Sequence, residues 1–176
     1  MDDRKRAAIY LLMLGRYKDL INEKETKTIT EIRSLINPRH PFIEQLRKKM
    51  IPEDYSYEKN FSTALSKAVE YMRAIETCEF AVSFWMTFEE MDKLEAADTP
   101  NKSLLFASLL RSFGAESTRV LVTKSGAYYV TFLYDGRNYL FSPKNNSLLA
   151  GDDVSKLLAE DSPRHSFNDV VYENFE

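Results

Sequence analysis

Apolar residues at Phe61, Ala64, Leu65, Ala68, Met72 and Ile75 recur at three- and four-residue steps. That spacing lines up one face and predicts an amphipathic helix over Tyr57–Ile75. Nearer the N-terminus, Ile9, Leu12, Met13, Leu20 and Ile21 form a looser stripe. It predicts a first helix over Asp3–Asn22, weakened in its middle by Gly15. A charged break at Glu23–Lys27 follows. Ile29, Ile32, Leu35 and Ile36 then predict a short second helix, ended by Asn37-Pro38. Pro41 opens a third, with Phe42, Ile43, Leu46 and Met50 on one side and Pro52 closing it. Thr77–Trp85 reads as a buried extended stretch. Thr87 with Glu90 three residues on forms a capping box, and the helix it starts runs to about Ala96.

The pattern changes at Asp98. Pro100 suits the first turn of a helix that Asp98 or Thr99 can cap. Leu104, Leu105, Phe106, Ala107, Leu109, Leu110 and Phe113 leave almost no polar face, so the helix over Pro100–Phe113 is expected to be buried, with Gly114 ending it. Three strand-like runs follow, Ser117–Thr123, Ala127–Tyr134 and Arg137–Ser142. They are joined at Ser125-Gly126 and Asp135-Gly136, both hairpin dipeptides. Beyond a turn at Lys144-Asn145-Asn146, Ser147–Ala150 predicts a short strand. Asp152 or Asp153 caps a small helix over Val154–Ala159, Ser162-Pro163-Arg164 breaks it, and Val170–Tyr172 adds an edge strand. The sum is an α+β fold, a buried helix packed on an antiparallel β-meander behind an N-terminal helical extension. Residues 1–56 form the extension and 57–176 the main domain, or the two are one continuous domain.

Composition narrows the function classes. A length of 176 residues supports one domain with a real core. A net charge of −3 gives no polyelectrolyte argument for nucleic acid, and Arg47-Lys48-Lys49 reads as a solvated face. A single cysteine, Cys78, leaves no internal disulfide and fits a reducing, cytoplasmic setting. With only His40 and His165 beside it, there is no zinc-ligand spacing and no cofactor motif. Ala7–Leu14 is an apolar run of eight residues, too short to span a bilayer, and is expected to pack as helix rather than to target or anchor the chain to a membrane.

The stretch from Tyr57 to Pro143 resembles the transglutaminase-like superfamily of papain-like folds. Leu109-Leu110-Arg111-Ser112-Phe113-Gly114 is similar to the family's Leu-Leu-Arg-x-x-Gly helix end. Asp135-Gly136-Arg137-Asn138-Tyr139 is similar to the turn before its last strand, and Trp85-Met86-Thr87-Phe88-Glu89-Glu90 to the tryptophan motif before its nucleophile helix. The resemblance implies a Cys-His-Asp triad, and here this chain departs. Counted from these motifs, the nucleophile position falls on Thr99, the histidine on Ala127 and the acid on Ser142. The tryptophan and glutamate of the histidine strand become Tyr129 and Thr131.

A triad needs a thiol at a helix N-terminus and an imidazole to take its proton. Thr99 keeps the place without the acidity, and its simplest role is a helix cap. Cys78, flanked by Glu76 and Glu79, is expected away from any helix N-terminus as a structural thiol, and a Cys78–His165 pair requires an accident of folding. The reading is a transglutaminase-like protein without catalysis, binding a protein or peptide in a groove lined by Trp85, Thr99, Tyr129 and Thr131, with Ala127 and Ser142 at the former triad positions. A hydrolase or acyltransferase with an unrecognised nucleophile is the alternative, and a nucleic-acid module a more remote one.

Overall fold

A computed structural model describes residues 2–20, 28–79 and 84–175. The central element is α6 (Thr99–Ser112), every residue of which from Asn101 to Leu110 is buried. Its lack of a polar face has a direct cause. On one side it meets α3 (Pro41–Met50) and α4 (Tyr57–Ala74), and on the other β3 (Arg119–Thr123) and β4 (Tyr128–Tyr134). Phe106 packs on Phe141 at 4.2 Å between ring centroids with the rings tilted by 33°, and Phe61 of α4 packs on Phe132 and Tyr134 of β4. Three further helices precede α6: α1 (Asp3–Leu20), α2 (Ile29–Ser34) and α5 (Phe88–Leu94). One hydrophobic cluster runs from Ile9 of α1 to Phe167, so the helical first half shares its core with the sheet.

The sheet has six antiparallel strands. β3, β4, β5 (Arg137–Ser142) and β6 (Ser147–Ala150) form the expected meander, turning at Gly126 and at Asp135-Gly136, where φ is positive. The chain then crosses the outer face as α7 (Asp152–Glu160) and returns beside β3 as β7 (Pro163–Phe167), with β8 (Tyr172–Asn174) at the edge. The spatial order is β6-β5-β4-β3-β7-β8.

Several expectations are corrected. Helix α7 ends at Glu160, ahead of Ser162-Pro163-Arg164 as expected, but Pro163 also opens β7, a strand that was not expected, and the edge strand begins at Tyr172 rather than Val170. The N-cap of α7 is Gly151, without a side-chain bond, so neither Asp152 nor Asp153 caps it. Helix α5 stops at Leu94, and Ala96–Ala97 instead forms β2, paired in parallel with β1 (Glu76–Thr77). The end of the first predicted helix at Asn22, its Ile21, the charged break and the Phe80–Ser83 part of the extended stretch lie outside the described residues. Arg111, at the C-terminal end of α6, forms a forked pair with Asp169 at 2.7 and 3.1 Å. Arg33 of α2 donates to the carbonyls of Asn168, Asp169 and Val170 in the same turn, binding the helical half to the far edge of the sheet.

Candidate functional site

Three short connections meet at the N-terminus of α6. Asp98 caps the helix through Oδ1, which accepts from the Asn101 amide at 2.9 Å and its side-chain nitrogen at 2.7 Å. The β1–β2 pairing carries Cys78 alongside, its backbone N–H donating to the Ala97 carbonyl at 3.0 Å. From the sheet come Ala127 and Tyr128, at the start of β4, and Ser142, at the end of β5. Thr77 Oγ1 donates to the Pro143 carbonyl at 2.8 Å and holds that strand end against β1. Between these elements lies a cavity of about 510 Å³. Thr99, Ala127 and Ser142, the three positions counted from the motifs, all border it, with Cys78, Tyr128 and Tyr129.

Beneath the cavity lies a buried lysine. Lys102 is fully enclosed, and its Nζ donates to the Ile75 carbonyl, Thr77 Oγ1 and Asn146 Oδ1 at 2.7–2.8 Å. Burial lowers its pKa to about 8, against a smaller opposing influence from Cys78. The Cys78 thiol moves the other way, to about 11, because it is buried and because Asp98 and Glu76 are near; Lys102 offsets only part of this. Burial also raises the Asp98 carboxyl, against the hydrogen bonds from Asn101. Tyr128 is raised by burial and then by Asp98. At neutral pH the pocket therefore holds a protonated thiol and a buried ammonium whose three protons are all engaged.

No imidazole borders this cavity. His40 caps α3, accepting from the Phe42 amide, and His165 sits on β7 with its ring stacked near Phe167 and Tyr172. The structure thus does not bring Cys78 and His165 together at the site. It does correct the placing of Cys78, which lies beside the N-terminus of α6 rather than away from one.

Two expected groove residues fall elsewhere. Trp85 lines a separate cavity of about 390 Å³ with His40, Phe88 and Leu104. The cause is Asn101, whose side chain bonds the Phe84 carbonyl and Met86 N–H at 2.9 Å each, drawing this segment to the flank of α6. Thr131 lines a cavity of about 550 Å³ on the outer face of the sheet, with Leu121, Val154 and Leu158. Along β4, Val130 and Phe132 are buried towards α6, so alternation sends Tyr129, Thr131 and Leu133 the opposite way. The row facing the helix is Tyr128, Val130, Phe132 and Tyr134, and of the two expected groove residues on β4, Tyr129 and Thr131, only Tyr129, at the rim, borders the cavity at the helix N-terminus.

Tyr128 and Lys102 are the site residues that sequence reasoning passed over. Tyr128 shares the parity of Val130 and Phe132, and Lys102 is the one charged side chain in the buried run Asn101–Leu110. Among the described residues, no group of His, Cys, Asp and Glu could hold a metal ion, and no helix is long and apolar enough to cross a membrane. No protein family, curated protein or solved structure matches the chain.

Proposed function

We propose that this chain is a transglutaminase-like protein without its triad, and that it binds an extended peptide or protein segment in the cavity at the N-terminus of α6. The observation that carries the reading is convergence. Thr99, Ala127 and Ser142 were located by counting from separate motifs, stand on a helix, a hairpin and a strand end, and border one cavity. The groups there suit binding better than acyl transfer. Thr99 offers a hydroxyl with no imidazole on the cavity, and the Cys78 thiol stays protonated at neutral pH. Tyr128 and Tyr129 supply aromatic surface, and Ser125 and Ser142 supply neutral hydrogen-bonding groups at the wall.

The test is selection from a displayed peptide library, with the bound peptide mapped by chemical-shift perturbation. Shifts are expected to centre on Thr99, Tyr128 and Tyr129, and Tyr129→Ala is expected to weaken binding about tenfold, the loss of one aromatic anchor. Binding that maps to the Trp85 cavity or to the outer face of the sheet overturns the reading. So does turnover of glutamine-containing peptides that Cys78→Ala abolishes.

A further inference from the structure

Helix α1 carries two apolar faces, and among the described residues only one is covered. Ile9 and Met13 point inward and are buried, with Leu12 half-buried against the same core. Ion pairs from Lys5 to Glu95 and from Arg16 to Glu90 fix that side to α5 and the residue beyond it. The opposite side is therefore held outward, and it is not polar. Tyr10 is 50% exposed, Leu11 70%, Leu14 67% and Tyr17 43%. At those exposures the four side chains leave on the order of 400 Å² of largely apolar surface in water, a patch of the size that marks interaction sites on monomers.

We propose that this face pairs with the same face of a second copy, as an antiparallel α1–α1 dimer. Ala7, Tyr10, Leu14 and Tyr17 follow one another at steps of three, four and three residues, the seam along which two helices interlock. The order of sizes along that seam makes it complementary to itself. With a two-fold axis at the level of residue 12, Ala7 lies opposite the partner's Tyr17, and Tyr10 opposite the partner's Leu14. The axis repeats both layers, so each large ring meets a smaller side chain and no two tyrosines collide. A parallel pairing sets Tyr10 against Tyr10 and Tyr17 against Tyr17 and loses that fit.

The charges beside the seam favour a protein partner over a lipid surface. Among the described side chains of α1, Lys5, Arg6 and Arg16 are each paired with a carboxylate, which leaves Arg4 as a single positive charge beside the face, short of the basic cluster that anionic headgroups attract. Two such faces bury roughly 800 Å² together, less than the ~1,200 Å² of a stable complex, so the dimer exchanges with monomer.

Sedimentation of the full chain from micromolar to sub-millimolar concentration tests this. The mass is expected to rise towards twice the monomer value, and Leu14→Glu, at an exposed position, to remain monomeric with an unchanged melting temperature in dilute solution. Copies carrying Ala7→Cys and Tyr17→Cys, each in a Cys78→Ser background because Cys78 borders the cavity at α6, are expected when mixed to cross-link to each other several-fold faster than either does to itself. A monomer throughout the range overturns the proposal. A dimer that survives Leu14→Glu, or faster cross-linking between identical copies, overturns it equally.

Discussion

Lys102 Nζ donates a 2.7 Å hydrogen bond to Asn146 Oδ1, tying the first turn of the buried helix to the turn that ends β5. Asn146 holds a left-handed conformation, φ 54°, that presents its amide to the lysine. The same ammonium holds Ile75 and Thr77, so one cation joins α6, the β1 segment and the sheet around the base of the candidate site.

That arrangement predicts a pH dependence with a definite sign. Lys102 titrates at about 8 in the folded chain against 10.5 for a free lysine. Between those values the unfolded chain holds a proton that the folded chain has released, so stability from this group rises with pH and is lost as pH falls towards 8. Cys78 acts in the opposite direction. Its thiol titrates at about 11 when folded and 9 when free, so its contribution is present below pH 9 and lost as pH rises to 11. The window from about pH 8 to 9 belongs to Lys102 alone of this pair. Urea midpoints are expected to rise across it in the parent chain and not in Lys102→Met. Cys78→Ser is expected to extend the rise above pH 9. A parent slope no different from that of Lys102→Met contradicts this account.

Asn101 predicts a stability cost. It is fully buried and spends both ends of its amide, donating to the Phe84 carbonyl and to Asp98, and accepting from the Met86 N–H. Asn101→Ala strands two buried backbone groups and removes one support of the Asp98 cap. The expected loss is about 2–4 kcal/mol, the desolvation cost of two unmet partners with some relaxation. Equilibrium denaturation measures it. Trp85, between the two anchored residues, is expected to report the change as a shift in fluorescence maximum.

Much of this was legible in the sequence because its causes are local. Asp98 and Pro100 mark the start of α6, and its apolar run announces burial before any partner is known. Asp135-Gly136 places the β4–β5 turn where the structure has it. What was missed depends on distant residues. β7 contains one large apolar side chain in the core, Phe167, and becomes a strand by pairing with β3, some forty residues earlier. The two-residue strands that set Cys78 beside Asp98 are too short for any periodic signal. The orientation of β4 is legible too, but in the row that motif counting does not select. Motif counting favoured Ala127, Tyr129 and Thr131, whereas the apolar alternation of Val130 and Phe132 already assigned the other row to the core. Arg111 stood out in the helix-end motif, but its partner Asp169 lies 58 residues further on, beyond reach of any local pattern.

The last prediction separates two influences on the Thr99 position. As the first residue of α6, a thiol there meets the unpaired N–H groups of the helix end, which favour a thiolate. Asp98, adjacent in sequence and bordering the same cavity, opposes this with its carboxylate, as it already does for the Cys78 thiol. In a Cys78→Ser background, Thr99→Cys is expected to titrate below the 9 of a free thiol. Adding Asp98→Asn is expected to lower it further, since asparagine keeps the cap and removes the charge. Thiol titration against pH, followed by absorbance of the thiolate, reads both variants. A thiol that titrates at or above the free value in both means that position 99 does not feel the helix end. A higher value in the double variant means that Asp98 acts there through its hydrogen bonds and not through its charge.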